Sequence, residues 1–222
     1  MKNILIVGSS SSAAKKLFDD YKDSYNFIRL SRSEDDTDII GFNVLNPDTY
    51  YKTEIMFDGL VYFPGSINLK PFKNLKIEEF YEDFEINIVG LVKILKFYQP
   101  NLNQNSSIVF ISSLASKIGM PFHSSVSIVK SAIVGLCSSL AAEFAPNIRV
   151  NCISPSIFKS NMSSRFLRNE QSVERIRSKN PLNMIGDPTD IAKLLHFLLS
   201  DDSKWITGQN IAIDGGMSTL KI

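Results

Sequence analysis

Residues 4–14 read ILIVGSSSSAA, a short apolar run followed by a glycine, four serines and two alanines. The apolar run is typical of a buried strand, and the serine-rich turn after it is typical of the start of a helix. A strand that passes through such a turn into a helix directs backbone N–H groups and the positive end of the helix dipole at a bound phosphate. This stretch therefore predicts a strand–turn–helix unit with an anion site at the carboxyl end of the strand.

Short apolar runs recur along the rest of the chain, mostly separated by segments with helical periodicity. Strands that alternate with helices predict an α/β fold, with a doubly wound sheet of about seven mostly parallel strands covered by helices on both faces. The predicted strands are Ile4–Val7, Phe27–Leu30, Ile39–Val44, Leu60–Phe63, Ile108–Ile111, Ile148–Ile153 and Ile211–Ile213.

The connection between the second and third predicted strands is unusually short. It comprises only residues 33–38, whereas a helical crossover between parallel strands needs about ten residues or more. We therefore expect either a bare loop here or a third strand that pairs differently. The acidic run in this connection, Glu34-Asp35-Asp36 together with Asp38, is interpreted as a solvated turn.

Three longer helices are predicted from apolar spacing and capping signals. The first runs from about Ile77 to Tyr98, and the third begins at the capping sequence Asp187-Pro188-Thr189-Asp190. The expected buried stripes are Phe80, Phe84, Ile88, Leu91 and Leu95 in the first helix; Val126, Val129, Ile133, Leu136, Leu140 and Phe144 in the second; and Ile191, Leu194, Leu195 and Leu198 in the third.

Length, composition and charge narrow the classes of partner. A chain of 222 residues with 44% hydrophobic residues predicts one globular domain over residues 1–222. Its formal net charge of +1 offers no electrostatic basis for binding nucleic acid or a membrane surface. The run Ile4–Val7 is too short for a signal peptide or a membrane span, so we expect a cytoplasmic protein. Cys137 and Cys152 lack metal-ligand spacing, and we interpret them as small core residues.

Three further stretches carry a family resemblance: IVFISSLAS at 108–116, VNCISPSIFKSNM at 150–162, and GDPTDIAKLLHFLLSDDSKWITGQNIAIDGG at 186–216. In this order they resemble the catalytic-serine strand, the Pro-Gly loop and the C-terminal segment of the short-chain dehydrogenase/reductase family, particularly the β-ketoacyl-acyl-carrier-protein reductase type. The resemblance implies a Rossmann-type sheet in the order 3-2-1-4-5-6-7 with a nicotinamide cofactor across the strand ends. It also implies a homodimer or homotetramer formed through the long helices and the C-terminal segment.

The resemblance assigns catalytic roles to Asn87, Ser113 and Lys130, with the family's spacing of thirteen residues from Ser113 to position 126 and four from there to Lys130. In the family a tyrosine at that position transfers the proton. This chain has Val126 there, and all seven of its tyrosines lie at or before Tyr98. We interpret Val126 as a core valine; His123, three residues earlier, is the alternative proton donor, ahead of His196.

The cofactor site implied by the resemblance departs from the family pattern in several places. Ser12 and Ala14 replace two glycines of the phosphate-binding turn, and serine hydroxyls could donate to phosphate in compensation. Arg32 after the second strand favours NADP, whereas the acidic run beside it favours NAD. The predicted cofactor-binding residues are Gly8, Ser10, Ser11, Ser12, Ala13, Arg32, Asn43, Val44, Pro64, Gly65, Lys130, Pro155, Ser156, Phe158 and Ser160.

The residues leave three hypotheses about function open. The first is an NAD(P)-dependent oxidoreductase that interconverts small carbonyl and hydroxyl compounds, of the 3-oxoacyl type, with impaired or altered catalysis. The second is a non-catalytic relative that binds cofactor and serves as a structural or regulatory subunit, pairing with an active homologue. The third is elimination or isomerisation in the same cleft. Four arginines of the segment over the cleft either attract an acyl-carrier substrate or mark a solvated helix: Arg165, Arg168, Arg175 and Arg177.

Overall fold

The computed structural model describes residues 1–32 and 38–221, and these residues form a seven-stranded parallel sheet. The strand order is β3-β2-β1-β4-β5-β6-β7, as the family resemblance implies. All seven predicted strands are present, and all but the third are at least as long as predicted. They are β1 Lys2–Val7, β2 Tyr25–Ser31, β3 Ile39–Gly41, β4 Phe57–Tyr62, β5 Leu102–Ile111, β6 Ile148–Pro155 and β7 Asn210–Ile213.

The third strand pairs with β2 in parallel at the edge of the sheet, so the alternative of a different pairing is wrong. Its predicted length was also wrong, because β3 ends at Gly41 and not at Val44. The backbone N–H of Asn43 donates to Thr49 Oγ1 and its Oδ1 accepts from the N–H of Leu45, so local hydrogen bonds replace strand pairing. The acidic residues Glu34–Asp36 lie outside the described residues, and Asp38 is exposed.

Helices cover both faces of the sheet. One face packs against α1 (Ser12–Tyr21) and α6 (Pro188–Leu199) around Ile4, Ile6 and Val109. The other packs against α3 (Gly90–Tyr98) and α4 (Ser124–Phe144) and has the larger apolar core. Two shorter helices, α2 (Ile77–Phe84) and α5 (Glu170–Arg177), complete the set used below. The predicted start of α6 is confirmed, because Asp187 and Asp190 form a capping box.

The predicted helix from Ile77 to Tyr98 is present, but a π-helical turn at Glu85–Val89 interrupts it between α2 and α3. A π turn inserts one extra residue, which rotates the preceding α-helical face. The predicted buried stripe is therefore shifted by one residue before the π turn. Phe84, which was predicted to be buried, is 43% exposed, whereas Asp83 and Asn87 are fully buried. Beyond the turn, Leu91 and Leu95 are buried as predicted.

Helix α4 buries a narrower stripe than predicted. Val126, Val129 and Ile133 are in the interior, but the stripe continues through Cys137 and Ala141, and the predicted Leu136, Leu140 and Phe144 are half-buried. Both cysteines are free and buried, as predicted. Within the described part of the chain, α4 alone is long and apolar enough by composition to cross a membrane. Here its inner face packs against β6 and the end of β5.

Candidate active site

The turn after β1 is held against the end of β2. Gly8 has a φ of +83°, and the N–H groups of Gly8 and Ser9 donate to the carbonyl of Leu30. A Cβ on Gly8 would lie 2.9 Å from Pro64 Cδ, so a larger residue at this position would push the two loops apart. The predicted residues Gly8 and Pro64 therefore lie side by side at the carboxyl edge of the sheet.

Helix α1 begins directly after this turn. Ser11 caps it, since its Oγ accepts from the N–H of Ala14 at 3.1 Å, and its first turn carries no acidic residue. Ser10, Ser11 and Ser12 remain partly exposed, while Ala13 and Ala14 are buried against the core. The alanines are thus accommodated in the packing of helix on strand, and the positive end of the helix stays open to an anion.

Three predicted cofactor-binding residues follow β2 and β3, which are neighbouring strands of the sheet. Arg32 is exposed, two residues after Leu30, whose carbonyl receives the two N–H groups of the turn. Asn43 is exposed and Val44 is buried in the turn after β3. All three residues are therefore on the β1–β2–β3 side of the sheet.

Lys130 lies beneath the carboxyl end of β5. Its Nζ donates to the carbonyl of Ile111 at 3.1 Å, and Ser112 Oγ donates to the carbonyl of Lys130 at 2.8 Å. Burial lowers the pKa of Lys130 to about 8, because desolvation disfavours the ammonium. Ser113 follows on the same strand end and is half-buried, with its Oγ accepting from the N–H of Ala115. These two predicted residues are therefore brought to the same edge.

Asn87 joins this group through the π turn. A Cβ on Gly65 would lie 2.9 Å from Asn87 Oδ1 and 3.2 Å from Lys130 Nζ, so both polar atoms converge on one small space beside Gly65. Asn87 Nδ2 is satisfied by the carbonyl of Asp83 at 2.8 Å, whereas Oδ1 is buried and accepts no hydrogen bond. A buried amide oxygen without a donor next to an ammonium is suited to a hydroxyl group, which can donate to one and accept from the other.

The sequence interpretation missed one charged residue of this site, Asp83. It is fully buried and accepts from Ser66 Oγ at 2.6 Å, Ser125 Oγ at 2.6 Å and Asn68 Nδ2 at 3.2 Å. The available signal was its position four residues before Asn87, which places both on one helical face. The misplaced apolar stripe assigned that face to solvent.

The position at which the resemblance implies a tyrosine is occupied by a buried residue with no proton to donate. Val126 is 3% exposed and lies one helical turn before Lys130. His123 precedes it at the start of α4, where its Nδ1 is 2.7 Å from the carbonyl of Pro121. His196 contacts Tyr25 instead, near the amino end of β2, and so does not belong to this site.

The loop after β6 closes the opposite side of the site. Pro155 is buried at the end of the strand, and the N–H of Ser156 donates to the carbonyl of Ile213. Phe158 pairs with Gly186, and Ser160 Oγ donates to Ser163 Oγ at 3.0 Å. Beyond it, a cavity of about 380 Å³ is lined by Lys159, Leu167, Val173, Arg177, Met184 and Ile185.

The arginines that the sequence singled out are solvent-facing. Arg165 and Arg168 are exposed, and Arg177 forms an ion pair with Glu174 at 2.9 Å on the surface of α5. Arg175 is also exposed on this helix. Arg177 alone of the four lines the cavity described above.

Comparison with known proteins agrees with this architecture. Residues 51–218 match the model of a family described as enoyl-(acyl carrier protein) reductase. The short-chain dehydrogenase/reductase SDRA of Arabidopsis thaliana is 35% identical over 134 residues, which cover 60% of this chain and 53% of that protein. The chain thus spans about half the length of the curated relatives it matches.

Solved structures extend the likeness over the whole fold. A short-chain dehydrogenase family protein from Francisella tularensis is 25% identical with a TM-score of 0.88, covering 99% of this chain and all of that one. The structure of ElxO with NADP bound is 25% identical with a TM-score of 0.84 over the same shares. With its sheet order, its edge of polar residues and the family match over residues 51–218, this chain belongs to the short-chain dehydrogenase/reductase family.

Proposed function

We propose that this chain binds a nicotinamide dinucleotide along the carboxyl edge of its sheet and acts as an oxidoreductase on a small carbonyl or hydroxyl compound. The observation that supports this most strongly is the convergence of Asn87 Oδ1 and Lys130 Nζ beside Gly65. The open N-terminus of α1 and the position of Ser113 lie at the same edge. The substrate class that we propose is the 3-oxoacyl type.

The residues present fit such a cofactor. A nicotinamide group supplies or accepts a hydride when it is bound. The backbone N–H groups of Ser10, Ser12 and Ala13 would hold the pyrophosphate, and the ammonium of Lys130 would hold a ribose hydroxyl. Arg32 would pair with a 2′-phosphate, which favours NADP over NAD. The remaining contacts would come from Asn43, Val44, Pro64, Gly65, Pro155, Ser156, Phe158 and Ser160.

Catalysis by this site is expected to be impaired or altered. Ser113 Oγ can donate a hydrogen bond to a substrate oxygen, and Lys130 carries a proton that its burial makes easier to release. Val126 supplies no proton, and the loss of a positioned general acid costs about 10²- to 10⁴-fold in rate. His123 is the alternative donor, and its place at the start of α4 precedes the site by one helical turn.

The second candidate function is a non-catalytic subunit that binds the same cofactor. The buried valine at position 126 favours it, since the predicted cofactor-binding residues lie beside a site that lacks the expected acid. Such a subunit would pair with an active homologue. We also propose assembly as a homodimer or homotetramer, because α2 and α4 present exposed apolar side chains at Ile77, Tyr81, Phe84 and Ile128.

One experiment separates these functions. Purified protein is titrated with NADPH and with NADH, following nicotinamide fluorescence, and wild type, V126Y and V126F are then assayed for ketone reduction. Micromolar binding with slow wild-type turnover that rises in V126Y but not in V126F supports an oxidoreductase site that lacks its acid, because V126F adds the ring without the proton. Binding without turnover in either variant supports the non-catalytic subunit. Binding of neither cofactor contradicts both.

The oligomeric state and the location need separate tests. Light scattering coupled to size exclusion would give the mass of the assembly, and an I128E variant should lower it if α4 forms the interface. A monomeric wild-type protein would contradict the assembly that we propose. We further propose a cytoplasmic location, which fractionation of the source cells would test.

A further inference from the structure

Asp83 is a buried carboxylate for which the proposed chemistry has no assigned role. Its side chain is fully buried between α2, the first turn of α4 and the loop after Gly65. Three donors satisfy it: the hydroxyl groups of Ser66 and Ser125, each at 2.6 Å, and the amide of Asn68 at 3.2 Å. Distances of about 2.5–2.7 Å are typical of hydroxyl groups that donate to an ionised carboxylate.

Hydrogen bonds connect this carboxylate through Ser66 to Asn87, whose side chain lies near Lys130. Ser66 Oγ donates to Asp83 Oδ1 and lies 3.3 Å from Asn87 Nδ2, which also donates to the carbonyl of Asp83. The other end of the same amide, Asn87 Oδ1, reaches the space beside Gly65 where Lys130 Nζ lies. The orientation of the Asn87 amide is therefore set by Asp83 and Ser66, and its oxygen faces the space beside Gly65.

The charge of Asp83 also affects Lys130. Lys130 is buried, and an isolated buried ammonium is costly unless an opposite charge lies nearby. Two groups within residues 1–32 and 38–221 act on it electrostatically. Cys152 on β6 carries no charge near neutral pH, because burial raises the pKa of its thiol to about 12. Asp83 on α2 is the other, and its negative charge favours the ammonium form.

We propose that Asp83 is a positioning residue of this site, which supplies the buried counter-charge of Lys130 and orients the Asn87 amide. The first effect acts through space and the second through hydrogen bonds, and neither needs contact with substrate. This inference rests on the proposed function only in assuming that Lys130 holds a cofactor. The arrangement of charge itself belongs to the protein without cofactor.

The test is therefore made on the protein alone. Protein labelled with ¹³C and ¹⁵N in lysine is titrated by NMR, with the Lys130 signal assigned from its absence in K130M. In D83N the midpoint of the Lys130 titration should fall by about 1 pH unit or more. The matched control is D58N, which removes the charge of a carboxylate that is bonded to Asn3 and Asn103 at the amino end of the sheet. It should leave the midpoint in place.

Two further measurements separate positioning from mere stability. S125A removes one donor from Asp83 but keeps the charge, so it should lower the melting temperature while the Lys130 midpoint stays within a few tenths of a pH unit. Should D83N not fold, wild type labelled with ¹³C in aspartate decides instead, since the ¹³Cγ signal of Asp83 should shift at the Lys130 midpoint. Equal midpoints in folded D83N and D58N, or a ¹³Cγ signal that does not sense Lys130, would overturn the proposal. Cofactor titration of the same variants tests the proposed function separately.

Discussion

Substitution of Gly65 by alanine tests the geometry on which the candidate site depends. The added Cβ would lie 2.9 Å from Asn87 Oδ1 and 3.2 Å from Lys130 Nζ, closer than carbon normally approaches either atom. Lys130 ends a flexible chain and can withdraw, but the Asn87 amide is anchored by its hydrogen bonds to Asp83 and Ser66. The loop or the amide must therefore move.

The size of the effect follows from these contacts. Overpacking of a well-packed site costs about 1–3 kcal/mol, and we expect G65A to lose about 1–2 kcal/mol of unfolding free energy. The methyl group also fills the space that a ribose hydroxyl would take, so NADPH affinity should fall by about tenfold or more, which corresponds to roughly 1.4 kcal/mol. Urea denaturation measures the first quantity and isothermal titration calorimetry the second.

The control is G135A on the exposed face of α4, where a Cβ would meet no atom within 4 Å. An alanine in a helix interior stabilises by about 0.5–1 kcal/mol relative to glycine, so this variant should gain stability and bind cofactor as wild type does. If G65A is as stable as wild type and binds NADPH equally well, Asn87 and Lys130 do not enclose the space beside Gly65, and the site as described is wrong.

Three further predictions concern stability. G215A should lose about 2–4 kcal/mol of unfolding free energy, since Gly215 has a φ of +62° and an added Cβ would lie 2.1 Å from Asn180 Oδ1. A melting temperature within about 2 °C of wild type would contradict this, because 1 kcal/mol shifts the melting temperature of a domain of this size by about 2–4 °C. Burial lowers the pKa of His196, which packs against Tyr25, so the folded state favours the neutral ring. The stability that this effect contributes is fully present above the ordinary histidine pKa of 6.5 and is lost as the pH falls from there through the pKa of the folded state. Urea midpoints at neutral and acidic pH should therefore diverge more for wild type than for H196F, and equal divergence would refute this account. D187A should cost about 1 kcal/mol by removing the cap of α6, measured by urea denaturation against D48A in an exposed turn, which should cost less.

Much of the fold could be predicted from local patterns. The apolar runs at Ile4–Val7 and Ile148–Ile153 are buried strands, because a parallel sheet covered on both faces demands continuous apolar residues. The capping sequence at Asp187 begins α6, because its side chain satisfies N–H groups that the helix leaves free. The sheet order came from family resemblance, since strand pairing over long sequence separations leaves no local signal.

The candidate site divides in the same way. The spacing of Ser113 and Lys130 and the presence of valine at position 126 could be identified from the sequence, because residue identity and helical period are local properties. The burial of Asp83 could not be predicted from the sequence. It depends on a π turn at Glu85–Val89, whose extra residue rotates the helix by one position and brings a carboxylate inward in place of Phe84.

The sequence by itself determined which chemical groups this protein has: a serine-rich turn with one glycine, a serine and a lysine at the family's spacing, and no tyrosine after Tyr98. Only the tertiary structure decided which of them meet. Asn87, Lys130 and Gly65 come from three elements far apart in the chain, and they share one space because the sheet and two helices pack around it. Contacts of this kind depend on packing in three dimensions, which residue spacing along the chain does not encode.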